Sequence, residues 1–263
     1  MTPSWLRIAR LPAVLSHLCI SGSLLCAQVA QTRETIDRAH ELVAGAIDLT
    51  RGMTSHTELT MTVHRPDWEK TSSLVAWTRG REDALIRFTA PDKDAGNATL
   101  KLAREMWTFT PKLNRVVRLP ASMMSQSWAG SDFSYNDLSR SDELLVHYTL
   151  TLVSEQTEDE HVIYTIDAVP HADAPVVWGK ERLRLRDDLV LMEVTYFDQD
   201  LLPLKRMTAL QVGDLGGRTF ATRMRMEDLE ESGHYTELAY KTAAFDIPID
   251  DRMFTQFALR NAQ

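Results

Sequence analysis

The side chains best suited to chemistry do not assemble into a reaction centre along this sequence. His40, His56, His64, His147, His161, His171 and His234 are scattered at no ligand spacing. Each reads as a surface or turn residue, and no metal is expected. The acidic runs Asp250-Asp251 and Glu158 to Glu160 sit in polar turns, where they read as solvated faces and not as acid–base dyads. The chain has no Gly-rich phosphate loop, no His-Glu-x-x-His, no Gly-x-Ser-x-Gly and no Cys-His cluster. No catalytic residue and no cofactor is expected.

What the sequence offers instead is apolar surface. Met61, Met106, Met192, Met207, Met224 and Met226 join Trp77, Trp107, Phe109, Trp178 and Tyr196 on segments with strand rhythm. Core filling accounts for most of them. Methionine is also flexible and polarizable, and recurs where a surface accepts varied apolar partners. A curved sheet with such a face can hold an acyl chain. Burying hydrocarbon is worth about 0.8 kcal/mol per CH₂, so a long chain needs on the order of 10 kcal/mol of apolar cover. A shallow groove falls short of that, and a covered half-barrel supplies it. Met61, Trp77, Ile86, Phe88, Leu100, Leu102, Trp107 and Phe109 are the expected cavity residues. Alternation is taken to put Trp77, Ile86, Phe88, Leu100, Trp107 and Phe109 on one concave face.

Two segments can cover such a face. Thr32 to Ile47 has helical spacing, with Ile36, Ala39, Leu42, Val43, Ala46 and Ile47 on one side. It either docks on the sheet or closes one end of a cavity. The second segment is Ser125 to Leu138, which interrupts the strands with Gly130, Ser131, Asp132 and Asn136 yet keeps Trp128, Phe133, Tyr135 and Leu138. It reads as a compact segment packed by its own side chains, either a lid or an ordinary packed loop. The lid residues are expected to be Met123, Met124, Trp128, Gly130, Asp132, Phe133 and Tyr135. Asp132 and Asp137 are expected to accept local backbone N–H groups. On that footing, losing Asp132 costs about 1 kcal/mol or less.

Elsewhere the period is two. Leu59, Met61 and Val63 alternate with polar neighbours, and the rhythm recurs between short turns as far as Phe245. The fold expected is mainly β, an antiparallel barrel or sandwich, with one large curved antiparallel sheet of about eleven strands the simplest architecture. Leu144 to Val153 and Val176 to Arg186 are expected strands, and Ile249 to Leu259 a terminal helix. No linker interrupts the series, so residues 28–263 read as one domain.

Residues 1–27 read as a secretory signal peptide, with Arg7 and Arg10 ahead of a short apolar run and cleavage at Ala27 or as far as Ala30. Cys19 and Cys26 are the only cysteines and both fall within it, so a mature chain has no disulfide. Lipidation of Cys26 is disfavoured by the bulk of Leu25. The formal net charge is −8, and losing the leader's two arginines makes it more negative still. General nucleic-acid binding is thereby disfavoured.

The run Trp77-x-x-Gly80, Arg87-Phe88-x-x-Pro91, Gly96-x-x-x-Leu100, Trp107-x-Phe109-x-Pro111, Gln126-Ser127 and Gly130-Ser131-Asp132-Phe133-Ser134-Tyr135-x-Asp137-Leu138 resembles the outer-membrane lipoprotein-sorting, LolA-like family. The tail from Phe245-Asp246 to Phe254-Thr255 is similar too. The likeness is to the broader branch and not to the proteobacterial carrier itself. It implies a lidded, unclosed barrel with a hydrophobic cavity, carrying lipoprotein acyl chains or free lipid through the periplasm. An inner-membrane transporter would be the donor, and an outer-membrane component the acceptor. The alternative is a lipid or lipoprotein sensor acting through an inner-membrane partner. Arg87, Arg104, Arg115 and Arg118 are the candidates for the family's lid-locking arginine. The intact mass of envelope-purified protein should correspond to a chain starting at residues 28–31 without a diacylglyceryl group. A lipid adduct on Cys26 would point to a membrane-anchored form.

Overall fold

The computed structural model describes residues 18–139, 143–174 and 176–260, with side chains from residue 33 onward. Helix α1 (Leu18–Arg51) is followed by β1 (Thr54–Arg65), β2 (Trp68–Arg79), β3 (Asp83–Ala90), β4 (Ala98–Leu102), β5 (Glu105–Thr110) and β6 (Arg115–Arg118). Two short helices, α2 (Tyr135–Ser139) and α3 (Glu143–His147), lie in the middle of the chain. Then come β7 (Tyr148–Glu158), β8 (His161–Pro170), β9 (Lys180–Arg186), β10 (Leu191–Phe197), β11 (Pro203–Leu215), β12 (Arg218–Asp228) and β13 (Tyr235–Phe245), and last α4 (Gln256–Arg260). No described helix is long and apolar enough to cross a membrane. The expected leader, residues 1–27, lies partly outside the described residues.

All thirteen strands join one antiparallel sheet in the order β6-β5-β4-β3-β2-β1-β13-β12-β11-β10-β9-β8-β7. The open, mainly β architecture is the one expected. Among the described residues the strands number thirteen, against about eleven expected. Register shifts at Glu58/Leu59, Ser73/Leu74, Leu152/Ser154 and Ala209/Gln211 bend the sheet. Strands β1 to β6 run outward to one edge. The chain then crosses towards the opposite edge through residues 119–139 and 143–147, and β7 to β13 return to pair with β1.

Three local expectations change. Leu144 to His147 is helical, not strand, and β7 begins at Tyr148. A short apolar run fits either period, so alternation could not decide it. Strand β9 starts at Lys180, and residues 176–179 are irregular. The terminal helix is a 3₁₀ turn at Asp251–Met253 followed by α4.

The two faces of the sheet hold separate cores. On the inner face, Leu59, Met61, Val63, Leu74 and Phe88 pack with Leu150, Ile166, Leu183 and Leu185. They lie beneath Ala39, Leu42 and Val43 of α1 and Trp128 and Phe133 of the crossing segment. On the outer face, Leu85, Ala98, Leu100, Trp107 and Phe109 pack under Ala258 and Leu259 of α4. This divides the expected cavity set. Register places Trp77 opposite Leu85, Leu85 opposite Leu100, and Leu100 opposite Trp107. Directly paired residues share a face, so Trp77, Leu100, Leu102, Trp107 and Phe109 belong to the outer core. Ile86 and Phe88 pair with Ala76 and Leu74 and belong to the inner one with Met61. Each alternating set was internally right; its assignment to a face needed the register.

Helix α1 is pinned at its C-terminal end. Gly52, at φ +60°, stops it, and the Gly52 N–H donates to the Asp48 carbonyl at 2.9 Å. Arg218 donates to the carbonyls of Asp48 and Leu49 at 2.9 Å each, and Arg81 clamps the Asp48 carboxylate. Arg51 reaches the Gly80 carbonyl at 3.0 Å. The stripe Ala39, Leu42, Val43, Ala46 and Ile47 faces the sheet, with i, i+3, i+4 spacing.

Arg87, one of the four arginines considered for the lid, is on the outer face. Its guanidinium is buried and donates to the Ala258 carbonyl at 2.5 Å, holding α4 in place. Burial holds its pKa below the ordinary arginine value. Arg87→Met should lower stability by about 1–3 kcal/mol, the cost of leaving buried acceptors unsatisfied. Urea unfolding measures this, and fatty-acid probe binding in the folded variant should be unchanged.

Candidate functional site

Residues 126–135 of the crossing segment fold back on themselves. The Trp128 N–H donates to the Phe133 carbonyl at 2.7 Å, and the Tyr135 N–H to the Gln126 carbonyl at 3.2 Å. The tip turns through Ala129 and Gly130 at φ +55° and +77°. An added Cβ at Gly130 meets no atom within 4 Å, so backbone angle and not crowding favours glycine there. Ser134 then starts α2. Its N–H and Oγ both donate to Asp137 Oδ2 at 2.7 Å, and the Asp137 N–H donates back to Ser134 Oγ at 3.2 Å. This reciprocal cap is the local role expected of Asp137.

Asp132 has a different role from the one expected. Its carboxylate accepts no local N–H group. Arg65 Nη1 and Nη2 donate to its two oxygens at 3.0 Å each, and Thr236 Oγ1 donates to Oδ2 at 2.6 Å. The Asp132 N–H donates to Thr236 Oγ1 at 3.0 Å, and Lys205 Nζ donates to the Asp132 carbonyl at 2.9 Å. One residue of the segment is thus gripped from β1, β13 and β11. Asp132 is 8% exposed. Arg65 also donates to the Gly130 carbonyl at 3.4 Å.

The arginine that holds this segment is therefore Arg65, none of the four proposed. Arg115 is exposed, Arg118 pairs with Glu105, and Arg104 lies at a cavity rim described below. Arg65 looked like a residue of the β1–β2 turn, next to Pro66 and Asp67. Only the pairing of β1 with β13 brings it beside Thr236 and makes a site for a carboxylate.

Trp128 and Phe133 are buried in the inner core. Trp128 Nε1 donates to Thr99 Oγ1 at 3.1 Å, and its ring lies 5.5 Å from that of Phe88. Tyr135 and Leu138 are partly buried against the same core, while Met123 and Met124 lie outside it, half-buried.

Two cavities flank helix α3. The first, of about 170 Å³, lies between α1 and strands β9 to β13. Its roof is Val43, Ala46 and Ile47; its floor includes Leu183, Leu185, Met192, Met207, Met224 and Phe220. Tyr240 lines it too, its phenol pKa pushed up by burial. Of the expected cavity residues, none lines this space. Three of the methionines singled out for apolar adaptability do. The second cavity, of about 1020 Å³, lies between the β4–β6 edge and the segment entering β7. Lys101, Arg104, Arg118, Met106 and Met124 line one side, and Glu143, Val146, His147, Asp173 and Val177 the other. Within α3, Leu144 faces the apolar cavity while Glu143, Val146 and His147 face the mixed one.

The histidines include one that is not isolated. His161, Asp187 and Asp188 meet on the surface because β8 pairs with β9. Their groups are already engaged: His161 with Asp187 at 2.7 Å, Asp188 with Arg186. The His161 hydrogen bond holds the Asp187 carboxyl below its ordinary range.

An open antiparallel sheet, covered on one face by a helix and a crossing segment, is a LolA-like fold. Solved structures share it, among them these three. A DUF1329 family protein from Desulfovibrio piger matches with a TM-score of 0.76 at 22% identity, over 86% of this chain and 99% of that one. A domain assigned as an outer membrane lipoprotein-sorting protein from Vibrio parahaemolyticus matches with a TM-score of 0.76 at 19% identity, over 86% and 100%. A LolA superfamily protein from Nitrosomonas europaea matches with a TM-score of 0.70 at 20% identity, over 84% and 98%. No curated protein matches the chain. A family model described only as “uncharacterized protein”-like matches residues 80–261, and the chain belongs to that family, with a LolA-like fold.

Asp132→Ala should cost on the order of 3 kcal/mol, because it leaves the Arg65 guanidinium largely buried without its carboxylate. That is well above the cost expected for a local loop contact. The check is the urea midpoint at neutral pH; a loss under about 1 kcal/mol would return Asp132 to the role of an exposed surface pair.

Proposed function

We propose that this protein is a periplasmic carrier that binds the acyl chains of a lipoprotein or lipid between α1 and the inner face of the sheet. The observation that carries the reading is the apolar cavity roofed by α1 and floored by Met192, Met207 and Met224. The lipoprotein-sorting description of one structural neighbour, the Vibrio parahaemolyticus domain, points the same way. Transfer needs no covalent step, since the chain moves between sites of different apolar burial.

The volume decides how loading works. A cavity of about 150 Å³ holds one benzene, and pockets for drug-sized ligands span about 300–1,000 Å³. The 170 Å³ seen here takes only a few carbons of a chain. Loading therefore requires the roof to withdraw. The C-terminal end of α1 is held by Arg218, Arg81 and Arg51. The helix swings about that end, and the methionine floor repacks around what enters. The crossing segment, gripped at Asp132, stays in place. In this reading an inner-membrane transporter loads the carrier and an outer-membrane component empties it.

Ala209 lies on the floor of the cavity. Ala209→Phe should fill it and weaken a fluorescent fatty-acid probe by about tenfold or more, the scale of losing a few buried methylenes. Ile86→Asn, on the inner face but away from this cavity, and Trp107→Asn, on the outer face, should lower stability and leave probe binding by the folded protein unchanged. Probe titration beside thermal melting separates these. Full binding by a folded Ala209→Phe variant would place the chain elsewhere.

A further inference from the structure

The larger cavity differs from the apolar one in chemistry, and α3 stands between them. Its two sides carry opposite charge. The β4–β6 side presents Lys101, Arg104 and Arg118 against Glu82 and Glu105. Arg118 and Glu105 pair with each other. The Lys101 ammonium is buried in the wall and donates to the Glu82 carbonyl at 2.7 Å. The facing side presents Glu143 and Asp173, with no lysine or arginine among its lining residues. Arg104 and Asp173 are both exposed on this space.

A uniformly anionic ligand meets repulsion on one side, and a cationic one on the other. A group with a phosphate at one end and an ammonium at the other satisfies both. Helix α3 places that charge-divided space next to the apolar one, with Leu144 facing the latter and Glu143 and His147 the former. An amphiphile whose chain enters under α1 carries its polar end past α3. We propose that the larger cavity binds a zwitterionic phosphate–amine headgroup of the lipid whose chain lies under α1. The phosphate sits towards the exposed Arg104, and the amine towards the exposed Asp173. This rests on the acyl-binding reading above.

The test uses the full chain without its leader and displacement of a fluorescent fatty acid by three single-chain lipids of equal length. These are lysophosphatidylethanolamine, the anionic lysophosphatidylglycerol, and the phosphate-free monoacylglycerol. The zwitterionic lipid should displace the probe at about tenfold lower concentration than monoacylglycerol, the scale of one charge-assisted hydrogen bond. Arg104→Glu should remove that advantage and leave monoacylglycerol unchanged. Asp173→Lys should shift preference to the anionic lipid. Both positions are exposed, so folding is expected to survive, and melting curves confirm it. Equal displacement by all three lipids, or a preference that survives both substitutions, would overturn the headgroup site while leaving acyl binding intact. Displacement by none of them would overturn the acyl reading and this proposal together. Chain-free phosphoethanolamine and inorganic phosphate should bind no more than weakly. Tight binding of either would make this a site for a soluble phosphate and overturn the lipid assignment.

Discussion

The chain leaves the sheet at one edge and must re-enter at the other. Strands β6 and β7 are consecutive in sequence yet stand at opposite ends of the thirteen-stranded order. Any connection between them has to span the width of a curved sheet. The short route lies across the inner face, where it also removes apolar surface from water. Residues 119–139 take that route. A cover over the inner face is therefore a consequence of the strand order. Closing the barrel by pairing β6 with β7 would remove the need for it, and the charged ends of the four-residue β6, Arg115 and Arg118, discourage further pairing at that edge.

A segment that crosses an apolar face needs fixed points for its backbone polar groups. Asp132 supplies one at the centre of the sheet, where β1 and β13 meet. Its carboxylate accepts from Arg65 and Thr236, and its carbonyl from Lys205. Trp128 supplies another on β4 through Thr99. With two anchors and two buried aromatic rings, the segment is a fixed part of the wall. Helix α1 is held differently. Arg218, Arg81 and Arg51 fasten its C-terminal end by hydrogen bonds; further along, apolar, non-directional packing on the sheet is joined by the Arg38 guanidinium over the Tyr164 ring at 5.6 Å. Non-directional contact survives sliding and tilting better than a bidentate ion pair does. Motion is thereby assigned to the helix more readily than to the crossing segment, the reverse of what an aromatic-rich loop in a strand-rich sequence suggests.

Much of this was legible in the residues. Alternation marked the strands, the polar turns marked their ends, and the helical stripe from Ile36 to Ile47 marked the roof. Asp137 was read correctly because its partner is three residues away. Asp132 was misread because its partners are 67 and 104 positions distant. Trp77 and Leu100 were placed on the wrong face for a related reason. Alternation sorts residues into two sets without saying which set faces the cover, and only a long-range contact such as Trp128 with Thr99 breaks the symmetry. The outer core was the missing piece. A five-residue helix at the end of the chain covers Leu100, Trp107 and Phe109, and nothing near those residues in sequence announces it.

For the carrier proposed above, the small size of the apolar cavity bears on reversibility. A rigid pocket fitted to a whole acyl chain gains about 0.8 kcal/mol for every methylene it buries and holds the chain too firmly to release it. A protein that must separate α1 from its sheet to accept the same chain gives back part of that gain as lost helix–sheet contact. Net affinity is then the difference between two apolar burials of similar size, chain against helix. Small changes at either end, such as contact with a donor or an acceptor at the pinned end of α1, can reverse its sign. Methionines 192, 207 and 224 suit this balance, since an unbranched thioether fills the space against the helix in one state and conforms to the chain in the other.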